Sequence, residues 1–341
     1  MKVENLEDKK RAFAPAITLM LMAPLLTEIL PGATRFSAIF VLPIEMTVWG
    51  GGALLIRYAV RRWKLGWLSM LLMAVGLAIA EECLIQQTSL APLVIKLKGE
   101  TYARAFGVNY VYFLWAIIYE SVFVVFLSVY LVELIFPDRK DSLWIGKTGM
   151  FFVVPLFFIG SFLAWFTWTH IARVKVLHLQ AYNPPLIQII IALFAICILI
   201  FIATVTLKNK PGNFWVPIKP PSSLILGISG AIWAILLYGL VLLGFGIAPH
   251  FPPIIAVAAG VIFLGALPVL ILPRFIASAF WTVIHQYGLI CGTITGSMLA
   301  GQIGFVDTTG PDLYFKIITN IIAIILLIIL GFKLKSRANA N

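Results

Sequence analysis

The sequence predicts an all-α, polytopic integral membrane protein with about ten transmembrane helices in one bundle. Hydrophobic residues make up 61% of the 341 residues, and charged residues only 11%. A soluble domain carries about a quarter charged residues, so this chain lacks the side chains needed to cover a water-exposed surface. Its apolar residues also form runs of about 20, the length that crosses a bilayer.

Ten apolar runs are long enough to predict spanning helices. They cover residues 13–30, 38–60, 66–86, 107–136, 148–168, 185–207, 223–246, 252–273, 276–300 and 313–334. The first run resembles a signal peptide, because basic residues precede it, but Glu28 and the following Pro31–Gly32 interrupt the small-residue pattern of a cleavage site. We therefore interpret it as a retained first helix.

The lysines and arginines predict the orientation of these helices. With a cytoplasmic N-terminus, 18 of the 25 basic residues fall on the cytoplasmic side and 7 on the outer side, as the positive-inside rule requires. We expect a cell-membrane protein with both termini in the cytoplasm. Its parts would be a tail (1–12), an acid-rich transmembrane part (13–147), a second transmembrane part (148–334) and a C-terminal tail (335–341).

Composition also restricts the partners and cofactors. The net charge of +11 comes from short basic clusters between apolar runs, which favours lipid headgroups rather than nucleic acid as neighbours. Three cysteines, Cys83, Cys197 and Cys291, lie inside apolar runs and indicate small buried side chains rather than a disulfide framework or metal cluster. The sequence contains no Walker A, zincin, nucleophile-elbow or dinucleotide motif, so we identify no cofactor beyond a possible bound cation.

Two loops on the predicted outer side alternate apolar and polar residues, the period of a strand. They are 93–101 and 171–180. One interpretation is that they pair as a small cap over the outer end of the bundle. The other is that both are amphipathic segments in the headgroup layer, with their lysines reaching towards water.

Five glutamates interrupt the predicted helices, although an acid at the centre of a membrane helix costs about 2.5–3.5 kcal/mol to insert. The topology places all five in the outer half of the membrane or near its midplane. Because four separate helices carry them, we expect their carboxyl groups to converge in one pocket. The five residues are Glu28, Glu45, Glu81, Glu82 and Glu120.

Helical spacing predicts which way these side chains point. Glu82 shares a row with Ala74 and Ala78, and small residues mark helix–helix contacts in membranes, so Glu82 should face protein. Glu120 likewise shares its face with Asn109, Tyr112 and Ala116. Glu81 lies in a more apolar row, and we expect that it either joins the cluster or reaches the outer headgroups.

The charge of the cluster needs compensation. Keeping one glutamic acid neutral at pH 7 costs about 3.7 kcal/mol, close to the insertion cost, so protonation is a workable solution. Close carboxylates also disfavour each other's ionised form. The basic candidates at this depth are few, mainly His285 and Arg35, so the sequence predicts bound protons or a bound cation. A sixth acid, Glu133, lies near the inner end and is expected to pair with Arg139 or Lys140.

His285 lies near the middle of the predicted ninth helix, 276–300. It shares a polar-to-small stripe with Thr282, Gly292 and Gly296, which predicts that it faces the bundle. A histidine there could exchange protons with the carboxylates.

The adjacent pair Glu81–Glu82 at the end of an apolar helix resembles the glutamate pair of the CAAX-protease and bacteriocin-processing family of intramembrane proteases. The resemblance implies a glutamate that activates water for peptide hydrolysis. The family's arginine, four residues after the pair, is replaced here by Gln86. The next helix carries Glu120 where a histidine is expected, and no asparagine follows His285 at the family's spacing.

Three functions therefore remain open. The leading hypothesis is a transporter-like protein whose carboxylates bind protons or cations coupled to a small solute. The second is an intramembrane hydrolase acting on a lipid or peptide, in which Glu82 or Glu120 activates water and His285 assists. The third is a non-catalytic membrane subunit. The candidate site residues are Glu28, Glu45, Glu81, Glu82, Glu120 and His285.

Overall fold

A computed structural model describes residues 6–92, 103–208, 215–242 and 253–340. Within these ranges the chain is helical apart from turns, connecting segments and one two-stranded antiparallel hairpin, in which β1 (Arg104–Ala105) pairs with β2 (Val108–Asn109). The helices are α1 (Leu6–Pro24, continued by Leu25–Ile29), α2 (Phe36–Arg62), α3 (Trp67–Ile85), α4 (Tyr110–Ile135), α5 (Lys147–Val176), α6 (Leu186–Thr206), α7 (Ser223–Leu242), α8 (Ile254–Ile276), α9 (Val283–Phe305) and α10 (Pro311–Ala340).

Nine of the helices in the described ranges, α2 to α10, are long and apolar enough to cross a membrane. The first, α1, adds a shorter apolar stretch, Phe13–Ile29. The predicted all-α, multi-pass membrane fold is therefore confirmed. Helix α1 already begins at Leu6, inside the predicted N-terminal tail, and α10 continues to Ala340, through most of the predicted C-terminal tail.

The acid-bearing helices form the interior of the bundle. Half of the most apolar window of α2 is buried, and 67% of that of α3 and of α4, against 11% for α6 and α10 and 17% for α8. Apolar side chains on the later helices therefore face outward, where lipid can cover them. The carboxyl groups on α2, α3 and α4 are shielded from that surface.

The first two helices approach each other at a glycine. Pro24 has no backbone N–H, so the carbonyl of Met20, four residues earlier, loses its usual helical partner. Gly50 on α2 packs against this carbonyl, and a Cβ added to Gly50 would lie only 2.3 Å from its oxygen. The absence of a side chain at Gly50 thus permits this close approach of α1 and α2.

Helices α7 and α9 pack backbone to backbone. A Cβ added to Gly292 would lie 1.8 Å from the carbonyl oxygen of Gly227, and one added to Gly296 would lie 2.4 Å from that of Ala231. Small residues allow such contacts between membrane helices. The stripe predicted on α9 therefore does face the bundle at its two glycines.

The ninth predicted helix begins seven residues later than expected, at Val283 rather than 276. Residues after Ile276 turn, and Thr282 caps the new helix together with His285, whose Nδ1 lies 2.7 Å from the Thr282 hydroxyl oxygen and accepts from the Thr282 backbone N–H at 3.2 Å. This hydroxyl-based cap defines the helix start. The prediction that His285 lies in mid-span is therefore wrong, because His285 is in the first turn.

The strand-like alternation in the outer loops has a different outcome in each. Residues 171–176 are the end of α5, wound as a wide helical turn, and 177–180 are irregular. The strand expectation for 171–180 is wrong because α5 continues through most of it. Residues 93–101 lie outside the described ranges. The small hairpin that the structure does show follows them at Arg104–Asn109.

Glu133 pairs with arginines of α2 instead of the basic residues that follow it in sequence. Its Oε1 accepts hydrogen bonds from Arg57 Nε at 3.1 Å and Arg61 Nη2 at 2.8 Å. The expected pairing with Arg139 or Lys140 is therefore wrong, because α2 and α4 bring the two arginines onto Glu133. We call this the arginine end of the bundle. The opposite end, where Glu45 lies in the first half of α2 and the other four glutamates are also found, is the carboxylate end.

Candidate functional site

The five predicted glutamates come together at the carboxylate end. Glu45, Glu81, Glu82 and Glu120 are 2–8% exposed, and Glu28 is partly buried. Glu28 lies within electrostatic range of Glu45, Glu81 and Glu82, and Glu120 lies within range of Glu81 and Glu82. We call these five residues the carboxylate cluster. None of them points to lipid and none stands apart from the others.

Wide helical turns accompany every member of the cluster. Glu28 lies in the π-helical turn Leu25–Ile29, and Glu81 with Glu82 opens another at Glu81–Ile85. Glu45 and Glu120 each immediately precede one, Met46–Gly50 and Ser121–Leu127. Insertions of this type shift the helical register and are frequent at functional sites. They explain how four helices direct acids to one place.

Three carboxyl groups form the centre of the cluster. The Glu120 carboxyl is within hydrogen-bonding reach of both Glu81 and Glu82. The Trp49 side chain is also within reach of Glu81. Glu81 therefore belongs to the cluster and does not reach the headgroup layer. Adjacent residues can both face inward here because two thirds of the apolar window of α3 is surrounded by protein.

The contacts of Glu120 with the other two carboxyl groups bear on how many protons the three groups hold. A hydrogen bond between two carboxyl groups needs a proton on one of them. Two such bonds at once among Glu81, Glu82 and Glu120 would require two protons on the three carboxyl groups. Oε2 of Glu81 and Oε2 of Glu120 accept from no other donor, and a proton on such an oxygen turns an unpaired acceptor into a donor.

Glu82 is the member of this trio that is best placed to stay ionised. Its Oε2 accepts hydrogen bonds from the hydroxyls of Thr88, at 2.5 Å, and Ser89, at 2.6 Å. Hydroxyl donors stabilise a carboxylate. Both residues follow directly after α3, so the chain folds back over its own glutamate.

The hairpin holds this returning segment in place. Asn109 donates from its backbone N–H to the carbonyl of Ser89 at 2.8 Å and from Nδ2 to the carbonyl of Thr88 at 3.2 Å. Arg104 in turn donates to Asn109 Oδ1 at 2.7 Å and to the carbonyl of Leu90 at 2.9 Å. The guanidinium of Arg104 therefore joins the hairpin to the segment after α3. It forms no ion pair with a glutamate of the described residues.

One hydroxyl joins the other two acids. Thr34 Oγ1 lies 2.6 Å from Glu45 Oε1 and 3.4 Å from Glu28 Oε2. A threonine hydroxyl has one proton to donate, which goes to the closer Glu45. The Glu28 carboxyl then approaches as a weak contact, or donates its own proton to the threonine oxygen.

Aromatic side chains close the site on one side. The Tyr119 hydroxyl donates to the carbonyl of Thr27, and the Tyr119 ring stacks on Trp115 with centroids 4.8 Å apart. Tyr238 from α7 meets the Tyr119 ring edge-on at 5.4 Å. This aromatic wall joins α1, α4 and α7 beside the carboxylates.

The expected basic partners are elsewhere. From Gly301, which packs on Pro31 near Glu28, His285 is 16 residues back along α9, about 24 Å at the helical rise. Arg35 donates to the carbonyl of Gly304 and covers the Phe305 ring. No ion pair to a cluster glutamate occurs in the described part of the chain.

A buried lysine escaped the sequence analysis. Lys316 on α10 is 1% exposed and donates to the carbonyl of Leu30. Asn320, with its amide oriented to suit its neighbours, accepts from Lys316 Nζ at 3.3 Å. The lysine thus holds the end of α1 two residues beyond Glu28. Its position in an apolar helix was the available signal.

The hydroxyl donors were also missed. Thr34, Thr88 and Ser89 lie in connecting segments, where polar residues are ordinary, so only the tertiary structure marks them. Among the described residues no three His, Cys, Asp or Glu side chains are arranged to hold a metal ion.

No protein-family model matches the chain, and neither a characterised protein nor a solved structure is significantly similar to it. The interpretation of the carboxylate cluster therefore rests on its own geometry.

Proposed function

We propose that the carboxylate cluster is an intramembrane proton-binding site, and that the protein is transporter-like, coupling proton uptake and release to the movement of a small solute. The single observation that carries this proposal is the contact of Glu120 with both Glu81 and Glu82. Two shared protons on three nearly fully buried carboxyl groups leave one negative charge. That charge rests best on Glu82, which has two hydroxyl donors.

The irregular end of α1 supports transport. The helix widens into a π-helical turn after Pro24, at the level of Glu28, and ends before Gly32, which has a left-handed conformation at φ +91°. Transporters commonly build ion and substrate sites where membrane helices depart from regular winding. Ionisable residues inside a bundle also mark proton relays in membrane proteins.

The hydrolase hypothesis needs a glutamate and His285 within reach of one water molecule. Their separation, on the order of 24 Å along α9 from the carboxylate end, does not favour it. The resemblance of Glu81–Glu82 to the intramembrane protease family stays a prediction without further support. A non-catalytic subunit remains the alternative that the following experiment separates from the proposal.

The test is infrared spectroscopy of the purified protein in detergent, through the carbonyl stretching band of protonated carboxyl groups. We expect a protonated-carboxyl band near neutral pH that changes reversibly on a pH jump. Glu120→Gln keeps an amide donor but removes the bridging acid, so it should diminish the band. Glu133→Gln is the matched control, because Glu133 pairs with two arginines away from the carboxylate cluster, and its removal should leave the band unchanged.

The parent and control together decide between the hypotheses. A band that is absent in the parent would contradict proton sharing. A band that is present but does not respond to pH would indicate buried structural acids, and hence the non-catalytic subunit. Asp141→Asn, at an exposed acid, replaces the control if Glu133→Gln does not fold.

A further inference from the structure

A polar cavity lies at the arginine end, away from the carboxylate cluster. Its volume is about 90 Å³ and it opens between α2, α3 and α4. By the space that one water needs, this is room for about six water-sized groups, enough for a phosphate with its five heavy atoms. The lining residues are Arg57, Val60, Arg61, Leu65, Trp67, Met70, Val129, Tyr130 and Glu133.

The charges that line the cavity do not balance. Arg57 and Arg61 share one acid, Glu133, and both bond to its Oε1. The next acid, Asp141, is 77% exposed and lies 3.8 Å from Arg61, a distance at which an exposed pair contributes little. Counted over the described residues that line the cavity, one positive charge therefore remains.

The two arginines have different roles. Arg57 is 2% exposed, donates to the carbonyls of Lys140 at 2.7 Å and Ser142 at 3.1 Å, and lies 3.3 Å from the centre of the Trp144 ring. These contacts use the guanidinium of Arg57 to hold α2 against the segment that follows α4. Arg61 is 30% exposed, and its ion pairs within the described part of the chain are with Glu133 and Asp141, so its remaining N–H groups can reach a ligand.

We propose that this cavity binds the phosphate of an anionic phospholipid, with Arg61 as the main contact. An unbalanced guanidinium provides charge complementarity, and Arg is well suited to phosphate oxygens. The apolar wall formed by Leu65, Met70 and Val129 matches the upper part of an acyl chain. Exposed Trp63 and the lining Trp67 are the aromatic residues that occur at the level of lipid headgroups.

The experiment measures lipid binding to the full-length protein in mixed micelles. Thermal stabilisation is followed while phosphatidylglycerol is titrated at constant detergent, with phosphatidylcholine and inorganic phosphate in parallel arms. We expect saturable stabilisation by phosphatidylglycerol, and an apparent affinity for phosphatidylcholine weaker by about tenfold or more, because its choline cation offsets the phosphate charge.

Arg61→Gln and Arg62→Gln form a matched pair. They remove equal charge from neighbouring positions, but Arg62 is exposed and does not line the cavity. Arg57 still neutralises Glu133 in both. Loss of a charge-assisted hydrogen bond should weaken phosphatidylglycerol binding about tenfold or more in Arg61→Gln. General attraction to an anionic surface, lost in Arg62→Gln, is worth at most about fivefold.

A third variant, Leu65→Trp, fills the cavity while it keeps both arginines, and should also weaken phosphatidylglycerol binding. Equal losses in Arg61→Gln and Arg62→Gln would overturn the proposal in favour of unspecific surface attraction. Unchanged binding by a folded Leu65→Trp would show that the headgroup lies elsewhere. Equal stabilisation by inorganic phosphate alone would assign the cavity to a soluble anion, and would also overturn it. None of these results depends on proton binding at the carboxylate cluster.

Discussion

Replacing Tyr119 by phenylalanine tests how the interrupted end of α1 is held beside the carboxylate cluster. Pro31 has no backbone N–H, so the carbonyl of Thr27, four residues earlier, has no helical donor. The Tyr119 hydroxyl donates to this carbonyl instead, and Thr27 is 1% exposed. Phenylalanine keeps the aromatic contacts of the ring and removes only the hydroxyl group, which also lies beside the hydroxyl of Tyr238.

The size of the effect follows from what the carbonyl can do afterwards. Hydrogen bonds between membrane helices contribute on average about 0.6 kcal/mol and at most about 1.7, because the separated helices find other partners. Leaving a buried group without a partner costs about 1–3 kcal/mol. Because of Pro31, the Thr27 carbonyl has no local partner in either the folded or the unfolded state. We therefore expect Tyr119→Phe to lower the free energy of unfolding by about 1.5 kcal/mol, near the upper value for membrane helices.

Tyr287→Phe is the matched comparison. Its hydroxyl donates to the carbonyl of Leu327 at 2.7 Å, also between two helices. Leu327 lies inside the continuous helix Pro311–Ala340, where the residue four positions on is Gly331 and supplies an N–H. Because this carbonyl keeps a partner, we expect a loss of only about 0.6 kcal/mol.

The assay is reversible unfolding in mixed micelles by increasing sodium dodecyl sulfate, followed by tryptophan fluorescence. Pro31→Ala supplies the missing N–H, so the cost of Tyr119→Phe should fall by about 1 kcal/mol in that background. Equal losses for Tyr119→Phe and Tyr287→Phe, or a loss at Tyr119 that Pro31→Ala does not change, would refute the reasoning.

Four further substitutions test the helix packing and the corrected position of His285. Gly50→Ala places a methyl group on the backbone of Met20 and should cost about 1–3 kcal/mol in the same unfolding assay, because backbone cannot move aside. Gly51→Ala meets only ordinary side-chain contacts, the nearest at 3.7 Å, and should be nearly neutral. Gly292→Ala should destabilise at least as much as Gly50→Ala, since its methyl group would overlap a carbonyl of α7. His285→Ala should lose about 1 kcal/mol of helix capping and leave the infrared band of protonated carboxyl groups unchanged.

Each of these expectations has a contrary result. Similar stabilities for Gly50→Ala and Gly51→Ala would mean that α1 and α2 are not in close contact at Gly50. A stable Gly292→Ala would contradict the packing of α7 on α9. A change of the carboxyl band in His285→Ala would return this histidine to the carboxylate cluster.

The helices were predictable because their signal is local. Each apolar run of about 20 residues satisfies the length and composition of a span wherever its neighbours lie, and all ten predicted runs coincide with observed helices. The start of α9 was misplaced because 276–282 are as apolar as a helix but end in a capping hydroxyl at Thr282. A cap depends on one hydrogen bond that hydropathy does not record.

The residues of the carboxylate cluster could be predicted from the sequence, but the contacts between them could not. Topology alone placed Glu28, Glu45, Glu81, Glu82 and Glu120 at one depth, and the structure brings them together. The row of apolar neighbours around Glu81 left its direction open, and the contacts made by α3 on most sides decided it. Contacts between carboxyl groups, and the hydroxyls of the connecting segments, depend on side chains far apart in sequence.

The sequence by itself determined that this protein is a helical membrane bundle with acids concentrated in its first four spans, because both properties follow from local composition. Only the tertiary structure decided which groups neutralise which. It gave Glu133 to two arginines, His285 to a helix cap and Lys316 to a carbonyl of α1. The five glutamates lie together without an ion pair among the described residues, because pairing in a low-dielectric interior depends on distances of a few ångströms that only packing sets.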